Sequence, residues 1–320
     1  MKISGFTMGK NALKLYYPMR QSVESILPLV DEFVVVLGNS DEDDITRSEI
    51  EAIGSDKIRI VDTIWDIEKY PRGMEHAHQS DIAKDLCSGD WLFYLQSDEV
   101  VHERDLEKIR LRCEELRDDE EVEGLLFRYR HFWGDYEHVQ DGHCWYRKEI
   151  RIVRNNPEIH SWESAQSFRK IPGFDGVNYR QQSGTYKLKV ADVDAEIFHY
   201  GWVRPPRLMQ NKIKAFSINH RGRESVEKQE ALHHFDRIFD YGNLDKYTRY
   251  DGSHPAVMKP WREGYDWKDQ LRFSGPTQSQ NPFKAKHDKP KYRVITWIEK
   301  NLLGGGRLGE FRNYILLKRK

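Results

Sequence analysis

Short apolar runs alternate with segments of helical spacing over the first hundred residues. The apolar runs predict four buried strands, at Ile3 to Met8, Phe33 to Leu37, Ile58 to Val61 and Leu92 to Leu95. The segments between them predict helices over 11–29, 48–53 and 74–86. Strands that alternate with helices indicate an α/β fold in which most of the sheet is parallel.

The fourth predicted strand ends in two adjacent carboxylates, Asp98 and Glu99, after Gln96 and Ser97. Acids at the end of a buried strand are costly unless a cation, a base or a hydrogen-bond network uses them. Ligands of α/β sheets also bind at the carboxyl ends of the strands. The pair therefore indicates either a Mg²⁺ or Mn²⁺ site that serves a diphosphate, or a loop of solvated acids in which Asp98 caps a helix.

The middle of the chain predicts further strands at Val122 to Tyr129, Arg151 to Arg154 and Ala195 to Phe198. The segment after the first of them is rich in aromatic residues, including Trp133 and Trp145. Aromatic rings can stack on the apolar faces of sugars, and they can equally pack the edge of a sheet. An acceptor platform and ordinary packing both remain open for these residues.

The last third of the chain predicts helices over 207–219 and 225–241, then a linker over 274–290 that is rich in Pro, Gln, Ser and Lys. After the linker, 291–320 predicts a basic amphipathic tail with one helix through Leu302 and a second one that begins at Leu308. Residues 276–320 hold 11 Lys and Arg against 3 Asp and Glu. Such a tail can lie on anionic lipid, or dock on its own domain or on a second subunit.

Composition is typical of a water-soluble enzyme. The 320 residues are 32% charged, and no run of 18 apolar residues predicts a membrane span. The first residues lack the apolar core of a signal peptide. Three cysteines without metal-ligand spacing indicate reduced thiols and a cytoplasmic location. No nucleic-acid-binding motif accompanies the basic tail, so nucleic acid is not an expected partner.

Three segments, Ser25 to Val36, Asn39 to Asp44 and Gly89 to Glu99, resemble a known family. They are similar to the family 2 glycosyltransferases of GT-A fold that build bacterial surface polysaccharides. The resemblance implies a Rossmann-like α/β sheet with a helical C-terminal extension. It covers roughly residues 1–205, the expected catalytic domain, with a donor half over about 1–100 and an acceptor half over about 101–205. Residues 206–273 would form the helical extension.

The resemblance also implies the donor and metal sites. It assigns the nucleotide-sugar donor to a pocket that contains the residues Phe6, Thr7, Asn39, Asp41, Asp81, Gln96 and Arg204. Mn²⁺ or Mg²⁺ would be held by Asp98, and His199 would complete its coordination. Gln96 departs from the family pattern, which has an acid there, so metal affinity is expected to be weaker. A structural role for His199, and a solvated basic helix after Arg204, are the alternatives.

For the acceptor side, the resemblance implies a glycan or lipid-linked acceptor and inversion at the anomeric carbon. Inversion needs a general base, for which Glu163 is the first candidate and Asp175 the second, although Asp175 also fits a turn residue. The acceptor would be contacted by the residues Glu99, Trp133, Trp145 and His160. The spacing His160-x-x-Glu163 departs from the family, in which the two residues are adjacent.

Two functions from different classes follow from these residues. The first is a metal-assisted glycosyltransferase that works in the cytoplasm, with peripheral contact to the inner membrane face. The second is a degenerate transferase that binds nucleotide or glycan and acts as a partner subunit. Gln96 favours the second, whereas the joint presence of Asp98, Glu99, Glu163 and His199 favours the first.

Overall fold

A long mixed β-sheet with helices on its faces forms the protein in this computed structural model, which describes residues 1–231, 238–275, 286–304, 306–309 and 312–319. The strands are β1 (Ile3–Gly9), β2 (Glu32–Leu37), β3 (Ile58–Asp62), β4 (Trp91–Tyr94), β5 (Glu99–Val101), β6 (Gly124–Trp133), β7 (His138–Val139), β8 (Lys148–Arg154), β9 (Ile159–Trp162), β10 (Ser167–Lys170), β11 (Tyr186–Trp202), β12 (Thr248–Arg249) and β13 (Tyr314–Leu316). The helices are α1 (Met19–Ile26), α2 (Thr46–Glu51), α3 (Met74–Asp85), α4 (Leu106–Glu115), α5 (Pro206–Arg221), α6 (Arg223–Ala231), α7 (Lys259–Glu263) and α8 (Pro290–Asn301).

The main path of the sheet runs β3–β2–β1–β4–β8–β6–β11–β10–β9. Its first four strands are parallel, so β1, β2 and β4 place their carboxyl ends at one edge of the sheet. β8 then pairs antiparallel with both β4 and β6, while β11 runs parallel to β6. The predicted α/β class is confirmed, and the parallel edge is where α/β sheets bind ligands.

The parallel strands are buried on both faces, as their near-continuous apolar sequences require. Along β2, Phe33 and Val35 enter the cluster on one face, whereas Val34 and Val36 enter the cluster on the other. Because successive side chains of a strand point to opposite faces, one run of valines stabilises both layers.

The predicted helix over 11–29 is shorter in the structure, where α1 begins only at Met19. Pro18 precedes it, and a proline inside a helix would remove one hydrogen bond and clash with the preceding turn. Residues 11–16 form turns instead, with Asn11 and Tyr16 in the left-handed region at φ 54° and 61°. The turn segment thus follows directly on the carboxyl end of β1.

The predicted helix over 225–241 is also corrected. The structure has α6 up to Ala231, residues 232–237 lie outside the described ranges, and residues 238–241 are not helical. Phe239 and Tyr241 both pack on Trp133. Their separation of two positions is typical of an extended chain, in which alternate side chains lie on the same face. The segment that follows covers one end of β6 and β11 with an aromatic cluster that includes Trp267.

The C-terminal segment is joined to the sheet. β13 pairs with β11 at Leu188 to Val190, where the sequence predicted the second tail helix. Strand pairing satisfies backbone groups that an exposed short helix would leave to water, and Tyr-Ile-Leu suits a strand. Ten residues of the predicted linker, 276–285, lie outside the described ranges, as does Phe311.

Helix α8 of the same segment packs on the loop around His143. The His143 Nδ1 atom lies 2.7 Å from Glu299 Oε1, and the backbone N–H of His143 donates to Thr296 Oγ1 at 2.9 Å. Glu299 is almost fully buried by these contacts. None of the helices in the described part of the chain combines the length and apolar character that a membrane span requires.

Candidate active site

A cavity of about 660 Å³ opens at the carboxyl ends of β1, β2 and β4 and extends under helix α5. Strand ends, the turn segment after β1 and one side of α5 build its wall, which includes Met8, Gly9, Lys10, Asn11, Tyr17, Asp41, Trp65, His76, Gln96, Ser97, Asp98, Ser164, His199, Trp202, Lys212 and His220. Four residues predicted from the sequence, Asp41, Gln96, Asp98 and His199, therefore meet at one cavity. A volume of this size suits a nucleotide-sized ligand.

Asp98 is the buried acid at the centre of this wall. Its Oδ2 atom lies 3.7 Å from His199 Nε2 and 3.6 Å from Lys212 Nζ. Burial disfavours its charge, but the positive groups around it, among them Lys212 and Arg204, outweigh that effect and lower the pKa of Asp98 below its ordinary value. Asp98 is therefore a carboxylate at neutral pH, ready to bind a cation.

His199 presents its Nε2 lone pair to the cavity because His131 fixes its tautomer. The Nε2 atom of His131 lies 2.8 Å from the backbone oxygen of Tyr146, which can only accept, so this nitrogen carries the proton. Burial lowers the pKa of His131 well below its ordinary value, so the ring is neutral and its Nδ1 is an acceptor. That Nδ1 lies 3.0 Å from His199 Nδ1, which must then donate. Burial also lowers the pKa of His199, leaving Nε2 unprotonated.

Asp98 and His199 fit two positions of a divalent cation. Oxygen ligands bind Mg²⁺ at about 2.1 Å, which places neighbouring ligands about 3 Å apart, so the present 3.7 Å needs only a small adjustment. A histidine that donates through its other ring nitrogen is also the usual state of a metal ligand. Within the described ranges, no three His, Cys, Asp or Glu side chains converge, so further ligands would come from water or substrate oxygens.

Gly201 lines the other side of this pair. A methyl group added at Gly201 would lie 2.5 Å from Asp98 Oδ2 and 2.7 Å from His199 Nε2. Both distances are far below van der Waals contact. The His199-Tyr200-Gly201 segment therefore needs glycine because the backbone approaches the two potential ligands closely.

Glu99, the second acid of the pair, is fully buried in the sheet. Arg151 donates to both of its oxygens, at 2.7 and 2.8 Å, and the Tyr129 hydroxyl donates at 2.8 Å. The backbone N–H of Gln96 also donates to Glu99, at 3.1 Å. With both oxygens engaged by this bidentate pair, Glu99 is suited to holding the loop that carries Asp98 rather than to contacting an acceptor.

Gln96 holds the opposite wall of the cavity. Its Nε2 atom donates to the backbone oxygen of Ala165 at 2.9 Å. Ala165 and Glu163 both have left-handed backbones, with φ of 59° and 58°. A carboxylate cannot donate a hydrogen bond, so an acid in place of Gln96 would leave this strained turn without its anchor.

The donor-side residues predicted from the sequence divide into two groups. Asn39 accepts from Lys10 Nζ at 3.0 Å, and Asp41 pairs with Lys14 at 2.7 Å, both near the cavity mouth. Phe6 and Thr7, by contrast, are fully buried in the sheet. The cavity wall begins one residue after Thr7, at Met8, because β1 extends to Gly9.

Asp81 lies behind the cavity wall, in α3. Its carboxylate faces His160 Nδ1 at 2.8 Å and accepts from the backbone N–H of Ser161 at 2.7 Å. Burial raises the pKa of Asp81 even though both partners oppose the change. These contacts join α3 to β9, so neither Asp81 nor His160 is placed on the wall.

Arg204 and Lys212 bring positive charge to the inner end of the cavity. Arg204 is fully buried, donates to the backbone oxygen of Leu15 at 2.6 Å, and lies 4.5 Å from the Tyr17 ring centre. Lys212 donates to the backbone oxygen of Gly201 at 2.5 Å. Burial and the charge of Arg204 lower the pKa of Lys212 to about 7, so its ammonium form depends on its contact with Asp98.

The two candidate bases lie in different surroundings. Glu163 is half-buried, 3.7 Å from Arg180 Nη2, and the next residue, Ser164, lines the cavity. Asp175 is exposed, and its Oδ1 atom accepts from the backbone N–H groups of Val177 and Asn178, which lowers the pKa of Asp175. Asp175 thus has the geometry of a turn residue, which the sequence offered as its alternative.

Trp202 is one of four Tyr, Trp or Phe residues on the cavity wall, with Tyr17, Trp65 and Phe216. Trp133 stacks on it from behind, with ring centres 4.8 Å apart, and is itself buried. The Trp145 Nε1 atom donates to His287 at 3.3 Å. The two tryptophans predicted to contact an acceptor thus support Trp202 rather than face the cavity.

Sequence reasoning missed His131, Gly201 and Trp202 as site residues. The parallel register of β6 and β11 places His131 beside His199 and Trp133 beside Trp202. A signal was present, because both strands end in a histidine, an aromatic residue and a tryptophan within four positions. Matching the two segments would have indicated the pairing.

No protein-family model matches the chain, and no curated protein matches it. Solved structures with some likeness include glucosyl-3-phosphoglycerate synthase from Mycobacterium tuberculosis with Mn²⁺, uridine diphosphate and phosphoglyceric acid, at 20% identity, TM-score 0.29, and coverage of 40% of this chain and 43% of the synthase. Another structure of that synthase, with Mg²⁺ and uridine diphosphate, has the same values. S. aureus TarS 1–349 is 15% identical, at TM-score 0.37, with coverage of 75% of this chain and 70% of TarS.

The chain thus spans less than half the length of the synthase structures that it matches. TM-scores and identities this low carry no argument about function.

Proposed function

We propose that the protein transfers a sugar, of the hexose class, from a nucleotide-diphosphate donor to a glycan or lipid-linked acceptor. The observation that carries the proposal is the pair Asp98 and His199 at the carboxyl end of a parallel sheet, in a cavity of about 660 Å³. The strand order β3–β2–β1–β4 is that of a nucleotide-binding α/β sheet, and the assignment to the GT-A fold and to family 2 rests on the resemblance of the segment Gly89 to Glu99.

Donor binding is proposed at the carboxyl ends of β1 and β2. Lys10, Asn39 and Asp41 offer polar groups there, and Trp65 offers an aromatic face. A diphosphate would lie between these groups and Asp98, with Lys212 near its inner end. A bound Mn²⁺ or Mg²⁺ would neutralise charge that grows on the diphosphate as the glycosidic bond breaks.

Acceptor activation is proposed on the opposite wall. An inverting reaction needs a base that removes the proton from the attacking hydroxyl. Glu163 is supported for this role because the next residue, Ser164, lies on the cavity wall. The carboxylate of Asp175, by contrast, accepts hydrogen bonds within its own turn. Trp202 offers the aromatic face on which a sugar ring could stack.

The proposal is tested by hydrolysis and transfer assays with a panel of UDP-sugars and GDP-sugars in the presence of Mn²⁺. Asp98→Asn should keep the fold and lose more than about nine-tenths of activity, since a ligand of a phosphate-bound cation contributes several kcal/mol to the transition state. Asp118→Asn is the control, because that carboxylate is 88% exposed and does not line the cavity. Full activity in Asp98→Asn would exclude the proposed role of Asp98.

A second function, a partner subunit that binds nucleotide or glycan without catalysis, is favoured by Gln96. Its amide is used to hold Ala165, and no three metal-binding side chains converge among the residues that the structure describes. This alternative predicts that UDP or GDP binds with a measurable Kd while every donor of the panel remains intact. Turnover of any donor by the unchanged protein, together with loss of that turnover in Asp98→Asn, would show that the protein is an enzyme.

Peripheral contact with the inner membrane face, or self-association, is proposed for helix α8. Val294, Trp297 and Leu302 are 58%, 58% and 67% exposed there, beside the exposed Lys291 and Arg293. Basic residues near anionic lipid contribute about 1 kcal/mol each. Vesicle flotation and light scattering of Trp297→Ser against the unchanged protein separate lipid binding from oligomerisation.

A further inference from the structure

Lys212 occupies a position built for a cation. Its ammonium donates to the backbone oxygen of Gly201 at 2.5 Å and lies 3.6 Å from Asp98 Oδ2. The ring centres of Tyr17 and Trp202 lie 5.2 and 5.3 Å from its Nζ atom. A carboxylate, a carbonyl and two aromatic faces thus surround one positive charge, and the side chain is only 13% exposed.

The same carboxylate oxygen faces both Lys212 and the Nε2 lone pair of His199. A divalent ion bound to this oxygen at about 2.1 Å would lie within a few ångström of the ammonium. At such a distance, in a buried site, two like charges repel strongly. The ammonium and a metal ion therefore cannot both hold Asp98 in this arrangement.

Lys212 has a route away from Asp98 that stays inside the cavity. It projects from α5 on four rotatable side-chain bonds, and it lines the cavity together with Trp202 and Phe216. A lysine ammonium is a point charge without fixed geometry, so it can exchange a carboxylate for phosphate oxygens at little cost in orientation.

We propose that Lys212 is the resident counter-ion of Asp98 in the free protein and that the metal–nucleotide complex displaces it onto the diphosphate. Because the resident charge competes with free metal, metal enters with the nucleotide rather than before it. Lys212 thereby keeps a buried carboxylate compensated between turnovers. This inference rests on the metal-assisted part of the proposed function.

The test measures Mn²⁺ binding to the full chain without nucleotide, through the electron paramagnetic resonance signal of free Mn²⁺. Lys212→Met removes the competing charge and should bind Mn²⁺ at least about tenfold more tightly than the unchanged protein. Lys212→Gln should do the same while keeping a donor for Gly201, which covers the case in which the Met variant does not fold. Lys212→Arg keeps the charge and should bind Mn²⁺ weakly. Lys214→Met, on the same helix and paired with Glu230, is the matched control.

The second half of the proposal is measured by UDP and GDP titration with saturating Mn²⁺. Loss of the displaced cation should weaken binding of the nucleotide in Lys212→Met and Lys212→Gln, although each binds Mn²⁺ better. Unchanged or weaker Mn²⁺ binding in both charge-removing variants would overturn the proposal, as would Mn²⁺ binding in Lys212→Arg as tight as in Lys212→Met. Neither measurement requires sugar transfer. If the Lys212 variants bind Mn²⁺ as expected but the transfer assays fail, only the proposed function is contradicted.

Discussion

The Nδ1 atoms of His131 and His199 lie 3.0 Å apart, and this contact decides which nitrogen of His199 faces Asp98. The proton on His131 is fixed by the backbone oxygen of Tyr146, so His199 donates to His131, and His131 donates to the loop before β8. A potential metal ligand is thus oriented by a residue that itself never reaches the cavity wall.

Removing this acceptor should weaken metal binding without removing a ligand. In His131→Leu, the Nδ1–H group of His199 loses its partner, and we expect Mn²⁺ affinity in the presence of UDP to fall about 10- to 100-fold. His131→Asn can supply an amide oxygen in place of the acceptor nitrogen and should lose less. Calorimetry of Mn²⁺ binding to both variants checks this, and equal affinities in the Leu variant and the unchanged protein would contradict it.

Gly201→Ala should separate Asp98 from His199. The added methyl group would lie 2.5 Å from one side chain and 2.7 Å from the other, so both must move. We expect Mn²⁺ binding and donor hydrolysis to fall at least about tenfold, with a modest loss of stability of about 1–3 kcal/mol from overpacking. Gly264→Ala is the control, because its methyl group would meet nothing closer than 3.5 Å. Activity equal to that of the control would show that the close approach has no functional consequence.

The parallel half of the sheet could be predicted from the sequence because its strands are short apolar runs separated by helical spacing. Local pattern gives such elements directly. The ends of elements were less predictable: α1 begins at Met19 because Pro18 and two left-handed residues break a spacing that would otherwise continue. The position of β13 depends on pairing with Leu188 to Val190, more than a hundred residues earlier, which no local pattern contains.

The candidate site was predictable where a residue follows a strand end and less so where sheet register decides its neighbours. Asp98 and His199 follow the predicted strands Leu92 to Leu95 and Ala195 to Phe198, so their side chains were expected at the ligand-binding edge, and they line the cavity. Glu99 is adjacent to Asp98 in sequence, yet it points into the sheet, where Arg151 binds it. Asp98 lies in a turn, whereas Glu99 is the first residue of β5, which explains why the two acids have different surroundings.

The C-terminal segment is expected to contribute to the stability of the fold, which its composition alone does not indicate. A basic, proline-rich sequence is typical of a separable tail, but β13 is a strand of the sheet, and Arg319 pairs with Asp119 at 2.7 Å. Deletion of residues 276–320 should therefore lower the melting temperature by at least about 5 °C, since a loss of a few kcal/mol shifts a protein of this size by that much. Differential scanning calorimetry measures the shift. The substitution Leu302→Ser, on the exposed face, is the control that should leave the temperature unchanged. Equal melting temperatures for the truncated and full-length chains would show that residues 276–320 form a separable tail.

Acid sensitivity should arise in part from Glu32, far from the cavity. Ser4 Oγ donates to its carboxylate at 2.6 Å, and the backbone N–H of Ser88 donates at 2.7 Å, so Glu32 ties β2 to β1 and to the loop before β4. Burial opposes its charge, but these hydrogen bonds outweigh burial and lower the pKa of Glu32 from 4.5 to about 2. An acid whose pKa is depressed by folding stabilises the native state above its ordinary pKa, and that contribution is lost as the pH falls from about 4.5 to about 2.

Glu32→Gln lacks this contribution at every pH. The difference in the free energy of unfolding between the unchanged protein and the variant should thus be largest near pH 7 and should shrink steadily below pH 4.5. Urea unfolding at pH 7, 5, 4 and 3 gives the difference, and the same substitution at an exposed position, Glu107→Gln, is the matched control. A difference that stays constant down to pH 3 would mean that the neutral amide and the carboxylate are held equally well, and that the hydrogen bonds from Ser4 and Ser88 do not depend on the charge of Glu32.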